Sequence, residues 1–228
     1  LEAIPVMGCY CDVIGIRSFA GLTDRDYDYA ETVYRQFEQY SGKPVFAMET
    51  ATVHPLQAFA DLITVEEYKK TARPKVVLSW APHPKALPQA VPNSFAQWMA
   101  AADVDLVVTH PEGYELDPAF TAGVRIEYDQ RKAFEGADFI YAKNWSCPGV
   151  GQYRGDYGKV LSRDMSWTVD AEHMSWTNQA HFMHCLPVRR GMIVTDDVIE
   201  APTSLVIPEA ANREVSATVV LKRMLQEM

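Results

Sequence analysis

The sequence contains few cysteines, no long apolar run and no excess of positive charge, and each absence excludes a class of protein. Its four cysteines, Cys9, Cys11, Cys147 and Cys185, have no regular spacing among 228 residues, which argues against a disulfide framework and favours a reducing cytoplasm. No apolar run is long enough to cross a bilayer, so we expect no membrane partner. The net charge of -9 disfavours a nucleic-acid partner, which usually requires a basic surface.

Three common site motifs are missing as well. No Gly-x-Gly-x-x-Gly follows an apolar run and no P-loop is present, which disfavours a dinucleotide or nucleotide site. No Cys/His pair has zinc-ligand spacing, so we expect no metal and no cofactor. Cys185 precedes a proline instead of opening a helix, which disfavours cysteine-protease chemistry.

Short apolar runs alternate with amphipathic segments along the whole chain. The predicted helices are 28–42, 54–70, 93–103 and 208–228, and the predicted strands are 11–16, 44–48, 75–80, 105–110, 124–128, 138–142, 181–185 and 204–208. Alternating strands and helices are typical of α/β folds with parallel sheets. Ligands of such folds bind beyond the carboxyl ends of the strands.

Polar residues follow several of these strands. They are Arg17, Glu49, His54, His83, Lys143, Cys185, Arg189 and Arg190. Each has a structural explanation by itself: an arginine can form a surface ion pair, His54 can cap a helix, and Cys185 can be a small core residue. Their recurrence at one edge of the predicted sheets indicates a site. The irregular segment 144–158 is too long for a simple connection, and we interpret it as a mobile lid.

Three motifs resemble the carbamoyltransferase family: HPLQ at 54–57, HCLP at 184–187 and PEAANR at 208–213. The resemblance covers the whole chain. It implies two parallel-sheet α/β domains joined by two helices, and a homotrimer with sites between subunits. Residues 1–57 and the returning helix 209–228 would belong to the carbamoyl-phosphate domain, and 58–208 to the amino-acid domain. The family's Ser-x-Arg-Thr-Arg phosphate loop does not occur here, so we expect a first domain that is truncated at its N-terminus.

The same resemblance implies roles for residues that match family positions. Arg17, His54, Gln57 and Arg213 would hold carbamoyl phosphate, and the carbonyls of Cys185 and Leu186 would accept hydrogens from its NH₂ group. Arg17, His54 and Cys185 would be catalytic, because attack by an amine builds negative charge on the carbonyl oxygen and the amine must lose a proton. Cys185 would be either the base or a group that orients the amine, and this choice stays open.

The amine acceptor is predicted from Lys143. Family members that act on free ornithine carry an aspartate after this strand, which pairs with the α-ammonium group. Here a lysine follows Tyr141 and Ala142, and at 4 Å it would repel an ammonium group by roughly 1–4 kcal/mol. An acylated α-nitrogen has no charge, and its carboxylates would attract Lys143 and Arg189.

The chain therefore most resembles the N-succinylornithine members of the family, with the N-acetylornithine members next. By that resemblance Glu49, His83, Lys143 and Arg189 line the acylornithine site, in an enzyme of arginine biosynthesis. The loop that separates succinyl from acetyl substrates lies upstream of Leu1 in this family. Two alternatives stay open: an N-acetylornithine carbamoyltransferase, and a truncated, non-catalytic amino-acid-binding fragment. We expect these 228 residues alone to be inactive.

Overall fold

The structure, a computed structural model, describes residues 2–228, and all the strand pairs in this part of the chain are parallel. The strands form a two-stranded sheet of order β1-β2 and a five-stranded sheet of order β5-β4-β3-β6-β7. Their bounds are β1 (Ile14–Arg17), β2 (Val45–Glu49), β3 (Lys75–Trp80), β4 (Asp105–Thr109), β5 (Arg125–Glu127), β6 (Phe139–Lys143) and β7 (His181–Met183).

Helices connect the strands and cover the sheets. They are α1 (Ala3–Tyr10), α2 (Arg25–Tyr29), α3 (Thr32–Tyr40), α4 (Pro55–Tyr68), α5 (Ala90–Ala101), α6 (Pro118–Thr121), α7 (Gln130–Phe134), α8 (Ala171–Ser175), α9 (Asp196–Ile199) and α10 (Val206–Gln226), with short 3₁₀ helices at Gly151–Asp156 and Met165–Trp167. No helix in residues 2–228 is both long and apolar enough to span a membrane. The prediction of a parallel α/β fold is confirmed.

The central strands of the larger sheet are buried on both faces, which explains their continuous apolar sequence. Along β3, Leu78 and Trp80 pack into one core, and Val77 packs into the other. Each is fully buried. Successive side chains of a strand point to opposite faces, so a strand inside two cores must be apolar at every position.

The strand order places a topological switch point between β3 and β6. From β3 the chain proceeds to β4 on one side, and it later returns to add β6 on the other side. At this point Trp80 is in register with Lys143, so the segments that follow both strands begin side by side. Open α/β sheets bind ligands at such a crevice.

The helices α4 and α10 pack against each other next to both sheets. The Ser216 hydroxyl on α10 donates to the Leu56 carbonyl on α4 (2.9 Å), and the Asn212 amide donates to the Thr64 hydroxyl (3.0 Å). Both of these side chains on α10 are buried. This pair of helices carries the HPLQ and PEAANR motifs to one place.

Two local predictions were wrong. Residues 204–208 are not a strand: α10 begins at Val206, and Ser204 makes only an isolated bridge to Phe182. The segment 28–42 is two helices, because Glu31 lies between them with a left-handed backbone (φ 52°). The first part of the segment interpreted as a lid, 144–149, is buried, and there Trp145 donates its indole N–H to the Tyr114 carbonyl (2.8 Å). The lid itself stays a prediction.

Candidate active site

A cavity of about 470 Å³ lies at the carboxyl ends of the strands, beside the switch point. The polar residues that line it are Arg17, Glu49, His54, Gln57, His83, Lys143, Cys185 and Arg213, and the apolar ones are Phe19, Leu87, Pro88, Val91, Leu186, Pro187 and Ala210. The cavity thus brings together all of the site residues predicted from the sequence except Arg189. Their roles stay predictions.

Two arginines that follow the HCLP motif have different surroundings. Arg189 is exposed and does not line the cavity, although its charge is close enough to contribute to the lowered pKa of His83. Arg190 pairs with Asp196 (2.9 Å) and with Glu200. Arg190 therefore forms surface ion pairs and is not available to a ligand in the cavity.

The end of β2 and the start of α4 contribute an acid and a histidine to the cavity. Glu49 is the last residue of β2, and its carboxylate lies 3.2 Å from the Arg17 guanidinium and 3.5 Å from Nε2 of His54. His54 precedes Pro55, which occupies the first turn of α4, where a missing N–H costs nothing. Burial lowers the pKa of His54 to about 3, so its imidazole is neutral and donates only one hydrogen.

The turn between Glu49 and His54 is held by one carboxylate. Glu31 accepts hydrogen bonds from the Thr50 hydroxyl (2.7 Å), the Ala51 amide (3.3 Å), and the amide (2.8 Å) and hydroxyl (2.6 Å) of Thr52. The left-handed backbone of Glu31 separates α2 from α3. This arrangement fixes the turn that sets the positions of Glu49 and His54.

The segment after β7 contributes a thiol and backbone carbonyls. Leu186 has a left-handed backbone (φ 45°), and the peptide bond to Pro187 is cis. The Leu186 amide donates to Nδ1 of His184 (2.9 Å), so this imidazole, which burial keeps neutral by lowering its pKa, carries its hydrogen on Nε2. In residues 2–228 no backbone amide donates to the carbonyl of Cys185 or Leu186. The left-handed backbone of a non-glycine residue, next to free carbonyls, is typical of a ligand site.

The electrostatics of the cavity oppose the charge of the whole chain. Three cations, Arg17, Lys143 and Arg213, line it against the single carboxylate of Glu49. Lys143 has no carboxylate oxygen within 4.0 Å in the described residues, and Nη1 of Arg213 is buried without a hydrogen-bond partner. A buried donor without a partner is costly, and an anionic ligand would satisfy it.

The Cys185 thiol meets opposing influences. Burial raises its pKa, Lys143 and the Tyr141 hydroxyl lower it, and the charge of Glu49 raises it. Burial is the largest of these effects, so the thiol is protonated at neutral pH. The condition under which Cys185 would be a resting thiolate is therefore not met in the unliganded protein.

A second cavity, of about 520 Å³, lies near α2 and the 3₁₀ helix Gly151–Asp156. Its Arg25 is already occupied: the guanidinium donates to the Pro148 carbonyl (2.9 Å) and pairs with Asp117. Its other arginine, Arg154, is exposed. The smaller cavity at the strand ends instead contains a buried guanidinium nitrogen without a partner, Nη1 of Arg213, and we therefore take it as the candidate active site. In residues 2–228 no cluster of three or more His, Cys, Asp or Glu side chains is arranged to hold a metal ion.

Sequence reasoning missed the buried acids behind the cavity and some apolar residues that line it. Asp61 and Glu209 are both fully buried. A signal was available for Glu209: it is one helical turn before Arg213 in PEAANR, so both face the same side of α10. Phe19 carried no signal in the sequence, yet its ring lies 5.0 Å from the Arg17 guanidinium.

Two family models match this chain in sequence order. Residues 1–67 match the aspartate/ornithine carbamoyltransferase carbamoyl-P binding domain, and residues 88–224 match the Asp/Orn binding domain of the same family. The chain belongs to the aspartate/ornithine carbamoyltransferase family. The candidate site uses residues from both matched regions, with Arg17, Glu49, His54 and Gln57 in the first.

Relatives within the carbamoyltransferase family differ in their degree of identity. The chain is 71% identical over 227 residues to N-succinylornithine carbamoyltransferase of Bacteroides thetaiotaomicron, covering 99% of this chain and 70% of the relative. It is 35% identical over 228 residues to N-acetylornithine carbamoyltransferase of Xylella fastidiosa, covering 93% of this chain and 67% of the relative.

A solved carbamoyltransferase has the same fold. Acetylornithine transcarbamylase complexed with acetylcitrulline superimposes with a TM-score of 0.89 at 31% identity, covering 98% of this chain and 71% of that chain. A variant of N-acetyl-L-ornithine transcarbamylase complexed with carbamyl phosphate and N-succinyl-L-norvaline gives a TM-score of 0.88, also at 31% identity and with the same coverage.

Proposed function

We propose that this protein transfers the carbamoyl group of carbamoyl phosphate to the δ-amine of N-succinyl-L-ornithine, yielding N-succinyl-L-citrulline and phosphate. The observation that carries the proposal is Lys143, a cation in the cavity with no carboxylate within 4.0 Å in the described residues. The identity of 71% to a protein named N-succinylornithine carbamoyltransferase, against 35% to one named for N-acetylornithine, supports the succinyl group.

Carbamoyl phosphate would bind on the side of the cavity formed by Arg17, His54, Gln57 and Arg213. The unpartnered Nη1 of Arg213 supports this placement, because a phosphate oxygen would accept its hydrogen. The carbonyls of the Cys185–Leu186 segment would accept hydrogens from the NH₂ group of the donor. Neutral His54 would donate its one hydrogen where negative charge develops in the transition state.

The acylornithine would bind on the side formed by Glu49, His83 and Lys143, with Arg189 at the rim. Lys143 supports a carboxylate at this position. Burial lowers the pKa of His83, so its neutral ring would be a hydrogen-bonding group and not a second cation. Arg189 is exposed outside the cavity lining, and a role for it requires a substrate long enough to reach it.

In the proposed reaction, the lone pair of the neutral δ-amine attacks the carbonyl carbon of carbamoyl phosphate. The bond from that carbon to the bridging oxygen breaks, and phosphate leaves with the electron pair. The proton lost by the new C–N group ends on the departing phosphate, which is released as the dianion HPO₄²⁻, so atoms and charge balance. Because burial raises the pKa of Cys185, this direction supports the orienting role for the thiol.

Several broader assignments belong to the same proposal. Residues 1–57 and 209–228 would form the carbamoyl-phosphate part, and 58–208 the acylornithine part. Family membership supports a homotrimer with sites between subunits and a place in arginine biosynthesis. The unpaired thiols of Cys9, Cys11, Cys147 and Cys185 support a cytoplasmic location.

The substrate assignment is tested with carbamoyl phosphate and three acceptors: N-succinyl-L-ornithine, N-acetyl-L-ornithine and free L-ornithine. Citrulline-type product and released phosphate are measured for each. We expect the highest kcat/KM with the succinyl compound, because its additional carboxylate is attracted to the cationic cavity. Equal efficiency with free ornithine would contradict the argument from Lys143.

The non-catalytic alternative is tested on the 228 residues alone. They contain no Ser-x-Arg-Thr-Arg string, so we expect no phosphate release from this chain, while N-succinyl-L-norvaline should still bind. Any longer form that the reading frame encodes is assayed beside it. Turnover by the longer form alone supports the enzyme, and an inactive longer form that binds the ligand supports the binding module.

A further inference from the structure

Two fully buried carboxyl groups lie behind the floor of the cavity, on the two helices that meet there. Asp61 is on α4 and Glu209 is on α10. Both amide hydrogens of Gln57 are directed at them: Nε2 donates to Oδ1 of Asp61 (2.7 Å) and to Oε1 of Glu209 (3.2 Å). The only polar atom left on this amide is Oε1, and Gln57 lines the cavity.

Glu209 also fixes the segment that contains the thiol. Its second oxygen, Oε2, accepts the backbone N–H of His184 (2.9 Å), the residue before Cys185. Both oxygens of Glu209 therefore accept N–H hydrogens. Of the four carboxyl oxygens in the pair, Oδ2 of Asp61 alone is buried without a partner.

Two carboxylates cannot both be ionised at short range in a dry interior. Burial raises the pKa of Asp61 to about 7 and raises that of Glu209 well above its ordinary value. The charged and titratable side chains around them are Arg213 on α10, Tyr141 on β6, and Cys185 after β7. One arginine compensates one negative charge, so the pair carries one proton at neutral pH.

The hydrogen bonds decide which carboxyl holds that proton. Burial raises the pKa of both carboxyl groups and does not distinguish them. A proton on Glu209 would, however, displace an N–H donor, that of Gln57 on one oxygen or that of His184 on the other. The displaced donor would be buried without a partner, which costs about 1–3 kcal/mol. Oδ2 of Asp61 accepts no N–H hydrogen, and the Tyr141 hydroxyl beside Asp61 can rotate to accept a hydrogen that Oδ2 donates.

We propose that Asp61 and Glu209 share a single proton held on Asp61, and that ionised Glu209 is a positioning residue for Gln57 and for the Cys185–Leu186 segment. Glu209 holds the Gln57 nitrogen inward, so that Oε1 faces the ligand. It also anchors the backbone next to the free carbonyls. This inference rests on the proposed function, because it assigns a purpose to the orientation of residues that would contact carbamoyl phosphate.

The position of the proton is tested by infrared spectroscopy of the 228-residue chain, without substrate. A protonated carboxyl in a dry site has a C=O band separate from those of carboxylates. We expect this band in the unmodified chain at neutral pH and its loss in Asp61→Asn, which should fold because the amide copies a protonated carboxyl. A band that persists in Asp61→Asn, or an Asp61→Asn chain that does not fold, would overturn the proposal.

The positioning role is tested by kinetics on the form that turns over substrate. The kcat/KM of Asp61→Asn for carbamoyl phosphate should stay within about threefold of that of the unmodified enzyme, since the asparagine amide keeps one acceptor and one donor. Glu209→Gln places a donor opposite N–H groups, and the lost charge-assisted hydrogen bonds should lower kcat/KM for carbamoyl phosphate about 10–100-fold, mostly through KM. The reverse order, or equal effects in both variants, would refute the assignment.

A matched control is Glu67→Gln. Glu67 also bridges α4 and α10, by accepting from the Asn212 amide (2.9 Å), but it does not line the cavity. The Glu67→Gln variant should leave kcat/KM unchanged. Failure of this proposal can be distinguished from failure of the proposed function, because the infrared band is measured without substrate. Even if the unmodified protein turns over none of the acceptors, the presence or absence of the band still tests the position of the proton.

Discussion

Lys143 and Cys185 line the same cavity, and the lysine charge lowers the pKa of a thiol whose pKa burial raises. The lysine is the last residue of β6, and the cysteine follows β7, the adjacent strand. Parallel pairing of these two strands is what brings an ammonium group and a thiol to one edge. The relationship leads to two predictions, one for each residue.

Replacing Lys143 with Asp should shift acceptor preference from N-succinylornithine to free ornithine. The variant exchanges repulsion of the α-ammonium group of ornithine for attraction. If this exchange improves the interaction free energy by about 1.4 kcal/mol or more, kcat/KM for ornithine rises at least tenfold. The measurement is the ratio of kcat/KM for the two acceptors.

Two controls accompany this variant. Lys143→Met keeps the length and removes the charge, so its ratio should lie between those of the unmodified enzyme and Lys143→Asp. Lys222→Asp makes the same charge reversal at an exposed position on α10 and should leave the ratio unchanged. An unchanged ratio in Lys143→Asp would show that Lys143 does not contact the acceptor.

Cys185 should react with iodoacetamide only as the pH rises well above neutrality. Burial raises the pKa of the thiol, and the thiolate is the reactive form. Because Lys143 lowers that pKa, Lys143→Met should move the reaction of Cys185 to still higher pH. The alkylation rate is followed by peptide mass spectrometry, with exposed Cys9 of the same chain as the reference. Fast alkylation of Cys185 at neutral pH would restore the resting-thiolate hypothesis.

His54 should make the protein less stable as the pH falls below 6.5. Above pH 6.5 this side chain is neutral in both states. Between pH 6.5 and about 3 the unfolded chain binds a proton that folded His54 does not, so the free energy of unfolding falls by up to about 1.4 kcal/mol per pH unit.

The measurement for His54 is urea unfolding at several pH values in the unmodified protein and in His54→Gln. The variant should lose part of this pH dependence. Glu49 and Asp61 contribute a slope of opposite sign to the free energy of unfolding against pH, since burial raises their pKa values. Both residues are present in both proteins, so comparing the two slopes removes their contribution. Identical slopes would mean that His54 titrates normally in the folded state.

Replacing Glu31 with Gln should destabilise the protein by about 2–3 kcal/mol, because charge-assisted hydrogen bonds to Thr50 and Thr52 are lost. It should also raise KM, since the turn that positions Glu49 and His54 would loosen. Thermal unfolding and steady-state kinetics measure the two effects. The control is Glu38→Gln, which removes an exposed ion pair with Arg35 and should cost under about 1 kcal/mol.

Strands were predictable wherever an apolar run was buried on two faces. The β3 and β6 segments were found within one residue of their observed bounds. The run 204–208 was not, because a short apolar segment fits a buried strand and the buried start of a helix equally well. Only the packing of Leu205 and Val206 into the cores, with α10 continuing from there, distinguishes the two.

Site residues were predictable where a motif joined unusual residue types, as in HPLQ and HCLP. Asp61 and Glu31 were not, because an acid within a helical sequence looks like one more exposed position. Their importance depends on burial and on residues that are distant in the chain: the donors Thr50 and Thr52 for Glu31, and the neighbouring carboxyl of Glu209 for Asp61.

The sequence by itself determined the α/β class, the alternation of strands and helices, and the family, because these depend on apolar periodicity and on contiguous motifs. Only the tertiary structure decided which charges share a cavity, that Arg190 pairs with surface acids while Arg189 lies outside the cavity lining, and that Cys185 is held as a thiol. The physical reason is that burial and the distances between charges are set by residues far apart in the chain, and these two quantities control ionisation.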